Sequence, residues 1–162
     1  MKLNNIVYSF SEFASAMAKL HDEKHFDYLV TIIGEDFGEE GLGCIYILEN
    51  TDTHERISVK TIAEKKGDSD VIWSITSLYK CANLLEREVF DFLGIKFLGH
   101  PDMRRLFLRN DFKGYPLRKD FVAQEGILLR TMKSLTIPCS IVSIRKETLL
   151  RSRYSSLVMM SS

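Results

Sequence analysis

The chain has 162 residues, and its 22 Lys+Arg are matched by 22 Asp+Glu, so it carries no formal net charge; 45% of it is hydrophobic. That length fits one domain burying about two thirds of its unfolded surface, and the balanced charge excludes a global electrostatic pull towards nucleic acid or anionic membrane. Uninterrupted apolar runs extend only a few residues, far short of the ~20 that a spanning helix needs.

The chain opens on Lys2, Ile6, Val7 and Phe10 before the small residues Ala14, Ser15 and Ala16, the outline of a signal peptide. Asn4, Asn5 and Glu12 interrupt any apolar core there, so a cytoplasmic start is expected. Ser9 and Glu12 have capping-box spacing, with the Ser9 hydroxyl accepting from the Glu12 N–H and the Glu12 side chain reaching back to the Ser9 N–H. Tyr8 and Phe13 stand at the staple positions, and Phe10, Phe13, Ala14, Met17 and Leu20 mark one apolar helix face ending near His21.

Strand signals follow. Residues 28–33 form a short apolar run closed by Gly34 and a polar loop. Residues 44–48 and 56–61 flank Asn50-Thr51-Asp52-Thr53 and read as an antiparallel hairpin. Ile57, Val59 and Thr61 alternate with Arg56, Ser58 and Lys60, which puts one face on the core and one in water. A polar loop from Glu64 to Asp70 leads into a fourth strand at 71–75. A helix followed by meandering strands favours an α+β layer over a doubly wound sheet.

A second helix is expected between an N-cap at Thr76 or Ser77 and a terminating Gly94. Leu78, Cys81, Ala82, Leu85, Val89 and Phe92 make its apolar stripe. Glu86 and Glu88 fall on opposite edges of that stripe, with Arg87 pointing nearly the other way. A carboxylate bordering a buried face is expensive unless paired. Beyond Gly94 come a short apolar segment, the turn Gly99-His100-Pro101-Asp102, and an extended basic stretch. Residues 104–119 hold six Lys or Arg and one Asp. From Val122 the composition shifts to eight serines and six basic residues against two acidic ones, consistent with an arm or tail.

Chemistry-bearing motifs are sparse. No Gly-rich phosphate loop, HExxH or GxSxG occurs. Cys44, Cys81 and Cys139 are odd in number and far apart, which fits neither a disulfide framework nor a CxxC pair; they read as buried or idle thiols. Iron–sulfur ligation needs clustered thiolates, so no electron-carrying site is expected in this chain. His100 beside its turn reads as a local hydrogen-bonding residue. Glu86 and Glu88 read as an ion-paired helix edge rather than an acid–base pair, because no nucleophile, metal cluster or cofactor loop accompanies them. Phe107, Phe112 and Tyr115 among the basic residues suit single-strand binding, but the domain as a whole is not basic, and no nucleic-acid partner is expected.

Three blocks now stand out in order and spacing: Cys81-Ala82-Asn83-Leu84-Leu85-Glu86-Arg87-Glu88-Val89-Phe90-Asp91-Phe92-Leu93-Gly94-Ile95, then Gly99-His100-Pro101-Asp102-Met103-Arg104-Arg105-Leu106, then Gly114 with Pro116-Leu117-Arg118-Lys119-Asp120-Phe121. Together they closely resemble the 30 kDa (C-type) subunit family of respiratory complex I, the proton-pumping NADH:quinone oxidoreductase. The resemblance extends over residues 1–121. It departs at Leu84 and Leu85, where the family commonly has aromatics, at Tyr115, where it has His, and at Val122, where it has Pro.

The resemblance implies an α+β domain over 1–121, with a mixed, mainly antiparallel sheet packed with helices; residues 122–162, which resemble no family ending, are expected from their composition as an extended C-terminal arm or a partly disordered tail. The resemblance also implies a non-catalytic scaffold in the peripheral arm of the complex, on the cytoplasmic face of the inner membrane. FMN, iron–sulfur clusters, NADH and quinone would be bound by partner subunits and none by this chain. The implied partners are the large quinone-site subunit of the D (49 kDa) type and the iron–sulfur subunits, with the membrane arm reached only indirectly. The same scaffold role in a membrane-bound hydrogenase or formate hydrogenlyase-type complex is the alternative, and an RNA-binding module a lesser one. The candidate site is an interface or ion-pair network. Its acidic side is Glu86, Glu88, Asp91, Asp102 and Asp120; its basic side is Arg87, Arg104, Arg105, Arg118 and Lys119, with His100 at the turn.

Overall fold

The computed structural model describes residues 4–122, so the C-terminal arm, Val122 aside, lies outside the described residues, as does Cys139. The elements are β1 (Asn4–Tyr8), α1 (Phe10–Asp22), β2 (Tyr28–Asp36), β3 (Leu42–Glu49), β4 (Arg56–Ile62), β5 (Glu64–Lys66), β6 (Ser69–Trp73), α2 (Ala82–Leu93) and β7 (Lys96–Leu98). Four strands form one sheet in the order β1-β4-β3-β2, and three form a second in the order β5-β6-β7. β1–β4 and β6–β7 are parallel pairs and the rest are antiparallel, an α+β arrangement.

Alternation fixes which face is covered. Cys44, Tyr46 and Leu48 of β3 and Ile57, Val59 and Thr61 of β4 are buried, and in register they sit beside Leu29 and Ile32 of β2. Phe13, Met17 and Leu20 of α1 and Val89 and Leu93 of α2 complete that core. The opposite face of the sheet is open, and Val7, Lys60, Ile45 and Ile33 share one row across all four strands.

The hairpin, α1 and the Gly94 helix end form as the sequence predicts. Several local expectations are corrected. Ser9 is the N-cap of α1, but its side chain makes no capping bond. Instead the hydroxyl donates to Glu12 Oε2 at 2.7 Å, because an ionised carboxylate is the strongest acceptor within its reach. The segment before it forms β1, and the expected loop 64–70 holds β5 and the start of β6. β2 runs past Gly34 to Asp36, because that glycine is where α2 crosses the strand: a Cβ there would lie 2.6 Å from Leu93 Cδ1 and 2.7 Å from Val89 Cγ1.

The largest correction concerns the start of α2, which begins at Ala82 rather than near Thr76. Hydroxyls compete with the helix for backbone groups there. The Thr76 N–H donates to Ser74 Oγ at 3.2 Å, and the Ile75 carbonyl accepts from both Leu78 and Tyr79. Tyr79 is buried and its hydroxyl donates to the Phe26 carbonyl at 2.6 Å. That long-range anchor holds residues 74–81 as a chain of turns. Cys81, expected on the apolar stripe, is consequently exposed.

Candidate functional site

α2 carries two carboxyls that are completely buried, Glu86 and Asp91. Asp91 is the centre of the site. Its Oδ1 takes the Arg105 Nη1–H at 2.9 Å, and its Oδ2 accepts three consecutive backbone N–H groups: Leu106 at 3.1 Å, Phe107 at 2.7 Å and Leu108 at 2.8 Å. Every lone pair of that carboxylate facing the segment is used. Arg105 also donates from Nη1 to the Asp91 carbonyl and from Nη2 to the carbonyls of Phe112 and Gly114, each at 3.2 Å. Its guanidinium also lies 5.4 Å from the Tyr115 ring centre and 5.9 Å from that of Phe112. A buried pair is favourable only with this completeness of hydrogen bonding.

Around this knot residues 103–121 run without regular structure, as a strap laid over the C-terminal half of α2. Arg118 fastens the far end: its Nε donates to the Leu93 carbonyl, and its Nη2 reaches Asp70 Oδ2 at 3.3 Å. The C-terminal carbonyls of a helix lack intrahelical partners, so a cation on Leu93 also complements the helix dipole. Tyr115 lies between the two arginines, with the Arg118 guanidinium 4.9 Å from its ring centre. The Lys119 backbone N–H donates to Asp36 Oδ2 at 2.9 Å. That bond, followed by one from the Gly38 N–H, holds the Asp36 carboxyl below its ordinary range.

The other residues expected at the site divide in two. Arg87 is drawn in, its Nε and Nη2 donating to the carbonyls of Arg104 and Arg105 at 3.1 and 3.2 Å. His100 Nδ1 accepts the Asp102 N–H at 3.0 Å, so Nε2 carries the proton and donates to the Asn83 carbonyl at 3.1 Å. Arg104 and Asp102 pair at 2.8 Å, with side chains 73% and 47% exposed, so that pair is a solvated one. Glu88 and Asp120 are exposed.

Glu86 stands apart. It is not on the edge of the stripe but inside it, with Oε1 accepting the Ile75 N–H at 2.8 Å and Oε2 without a hydrogen-bond partner among the described residues. Burial pushes its carboxyl up to about 7, against the opposing pull of the Ile75 N–H and the Ser74 hydroxyl. Asp36, Asp70 and the accepting carbonyls were missed by sequence reasoning. Asp36 and Lys119 lie 83 positions apart, and a carbonyl is present at every residue, so no local signal marks any of them.

On the outer side the strap and helix present a stripe of α2, Leu84 and Glu88 at helical spacing, continued by Phe107 stacked on Phe92 at 5.8 Å. Leu84 and Phe107 are 56% and 46% exposed, high values for large apolar side chains beside Glu88, which makes no ion pair among the described residues. No group of three or more His, Cys, Asp or Glu among the described residues is placed to hold a metal ion. Among the described residues, no helix is long and apolar enough to cross a membrane.

Residues 6–126 match the family model described as respiratory-chain NADH dehydrogenase, 30 Kd subunit. The chain is 51% identical over 105 residues to the NADH-quinone oxidoreductase C/D subunit of Phocaeicola vulgatus, covering 65% of this chain and 20% of that protein. It is 37% identical over 109 residues to the NADH-quinone oxidoreductase C subunit of Moorella thermoacetica, covering 67% of this chain and 72% of that one. The chain thus spans about a fifth of the length of its C/D relatives. Among solved structures, a trypsin-resistant fragment of Nqo5 aligns with a TM-score of 0.55 and 28% identity over 60% of this chain and 80% of that one. A chain of an archaeal membrane-bound sulfane sulfur reductase aligns with a TM-score of 0.66 at 24% identity, covering 85% and 81%, and shares the fold. The match runs through both the helix and its strap, and it spans most of the Moorella protein, which leaves one assignment: the chain belongs to the respiratory-chain NADH dehydrogenase 30 Kd subunit family.

Proposed function

We propose that this chain is a non-catalytic subunit of an NADH:quinone oxidoreductase, seated in the peripheral arm on the cytoplasmic face of the membrane. Its task is to hold the D-type quinone-site subunit and the iron–sulfur subunits in place. Electron transfer from NADH to quinone, coupled to ion translocation, belongs to the assembly, with FMN, clusters, NADH and quinone bound by the partner chains. One observation carries the choice of partner: relatives up to 51% identical over 105 residues bear the double designation C/D. That name describes a single polypeptide joining this unit to a D unit, and fusion is economical only for chains that sit together.

The geometry supports a scaffold. The buried charges of the strap are consumed internally, which leaves a stiff surface rather than a reactive one. On it, Leu84, Glu88 and Phe107 offer two apolar contacts around one carboxylate, a composition suited to an interface with a rim charge. Because the fold is shared with a sulfane sulfur reductase chain, the electron donor is inferred from the named relatives and not from the architecture.

The test is affinity purification of the tagged chain from detergent-solubilised native membranes, followed by mass spectrometry. Copurification of a D-type subunit with iron–sulfur subunits and NADH:quinone reductase activity is expected. Hydrogenase subunits in their place, or no partner at all, would overturn the reading. Glu88→Ala is expected to leave the isolated chain within about 0.5 kcal/mol of its stability, as exposed substitutions do, yet to reduce capture of the D-type subunit. Undiminished capture would remove Glu88 from the interface.

A further inference from the structure

The two buried carboxyls of α2 are treated in opposite ways. Asp91 is given an arginine and three N–H groups, whereas Glu86 receives one backbone N–H and has an oxygen with no hydrogen-bond partner among the described residues. Its surroundings are neutral. β3 contributes Cys44 and Tyr46, both fully buried and both pushed up, first by burial and then by neighbouring groups that include the Glu86 carboxyl. The preceding turn contributes the Ser74 hydroxyl. The hydroxyls of Tyr46 and of Thr61 on β4 also have no hydrogen-bond partner among the described residues.

The charged groups of the elements packed on α2 are turned elsewhere. Arg87 holds strap carbonyls, Asp36 at the end of β2 holds the Lys119 N–H, and Asp70 of β6 holds Arg118. Glu88 on the helix itself and Lys96 on β7 are exposed. An ionised carboxylate with no cation facing it is costly in such a place, and the neutral acid is the form that fits.

We propose that Glu86 is a proton-operated latch: as the neutral acid it holds the Ser74–Cys81 turn onto α2, and loss of its proton to solvent releases that turn. The step is the breaking of one O–H bond, with the proton passing to water. The resulting carboxylate must stay dry or admit water. Its other walls are a helix and paired strands, while the turn carries Ser77, Lys80 and Cys81 on its outer side, all exposed. The turn is therefore the wall that yields. It also carries Tyr79, whose hydroxyl grips the Phe26 carbonyl between α1 and β2. Opening would be felt there as well, so one core proton governs two separated places. The latch is a property of this chain and does not rest on the assembly role proposed above.

The test uses the whole 162-residue chain. Amide hydrogen exchange, corrected for intrinsic rates, is followed from about pH 5 to about pH 8.5. Protection of residues 75–82 and 26–29 is expected to fall by about tenfold per pH unit as the pH rises towards the folded-state midpoint of about 7, and to level off above it. In Glu86→Gln it should stay flat. In parallel, a carbon-13 titration of the Glu86 side-chain carboxyl should show a midpoint near the value of about 7 that its burial imposes. Equal protection profiles in the two chains would overturn the latch. So would a carboxyl titrating in the ordinary carboxylate range, or one titrating high while the turn stays protected. If Glu86→Gln does not fold, the titration and the native chain's profile decide between the same outcomes.

Discussion

Asp91 is the residue on which the strap depends, and its energetics follow from what would be stranded without it. In Asp91→Ala, Arg105, whose side chain is only 15% exposed, loses its counter-ion, and three strap N–H groups lose their acceptor. Removing one member of a buried pair costs about 3–5 kcal/mol, and urea unfolding of the purified chain should read a loss of that size. Arg105→Lys is expected to cost less but not nothing. An ammonium keeps the charge yet cannot span Asp91, Phe112 and Gly114 with one planar fork. Glu88→Ala, one turn away on the exposed side, is the contrasting substitution. Equal losses for Asp91→Ala and Glu88→Ala would show the buried pair to be energetically idle.

At the scale of elements, α2 is placed by two glycines that work differently. Gly34 lets the helix approach β2, with Leu93 and Val89 occupying the space where a Cβ would stand. Gly94 ends the helix at φ +77°, and a Cβ on it would meet the Tyr115 ring at 2.5 Å. Gly34→Ala should cost about 1–3 kcal/mol by overpacking. Gly94→Ala should cost that clash plus the left-handed penalty of about 1–2 kcal/mol. In a Tyr115→Leu background the clash should shrink while the backbone penalty stays, so a double-mutant cycle of thermal unfolding separates the two. Additive costs would mean that the aromatic ring does not press on the helix end.

These elements also show what a sequence can reveal about itself. The two helix faces and the β3–β4 hairpin are periodic, and a period is written locally. β1 was invisible because five residues become a strand only by pairing with Ile57–Thr61, far along the chain. The late start of α2 was hidden for the same reason: Tyr79 leaves the helix to reach Phe26. At the site, the acid-and-arginine blocks place Asp91 and Arg105 among several acids and bases without pairing them. They did not reveal that Glu86 and Asp91 point into the interior while Glu88 points out. A single residue of offset on a helix turns a side chain by about 100°, and only the packed sheet decides which angle is inward.

For the whole molecule, stability is bounded by protons on both sides. Asp36 and Glu49 carry carboxyls held below their ordinary range, by the Lys119 N–H and by Arg56 respectively. Groups lowered in the folded state stabilise it above their unfolded values, and that contribution disappears as the pH falls through the folded ones. Glu86 is raised to about 7, so its contribution is complete below its unfolded value near 4.5 and is lost as the pH rises through about 7. Melting temperature against pH should therefore pass through a maximum near pH 4.5, where the lowered carboxyls are ionised and Glu86 still keeps its proton. A flat profile between about pH 5 and about pH 8 would contradict the alkaline limb, and its disappearance in Glu86→Gln would assign that limb.

The knot at Asp91 also sets where the polypeptide can be cut. A chain leaving the ribosome forms α2 while the groups that neutralise its inward acid are still unmade, and the last clasp, Phe121 stacked against Phe112 at 6.0 Å, arrives some thirty positions later. The loop to be closed is short, so its entropy is small, and completion should be quick once the residues exist. Truncation between the helix end and Leu108 would leave an anion in the interior without the full set of donors that answer it. An expressible version must therefore run past Leu108, and past Gly114 to keep the Arg105 clasp whole.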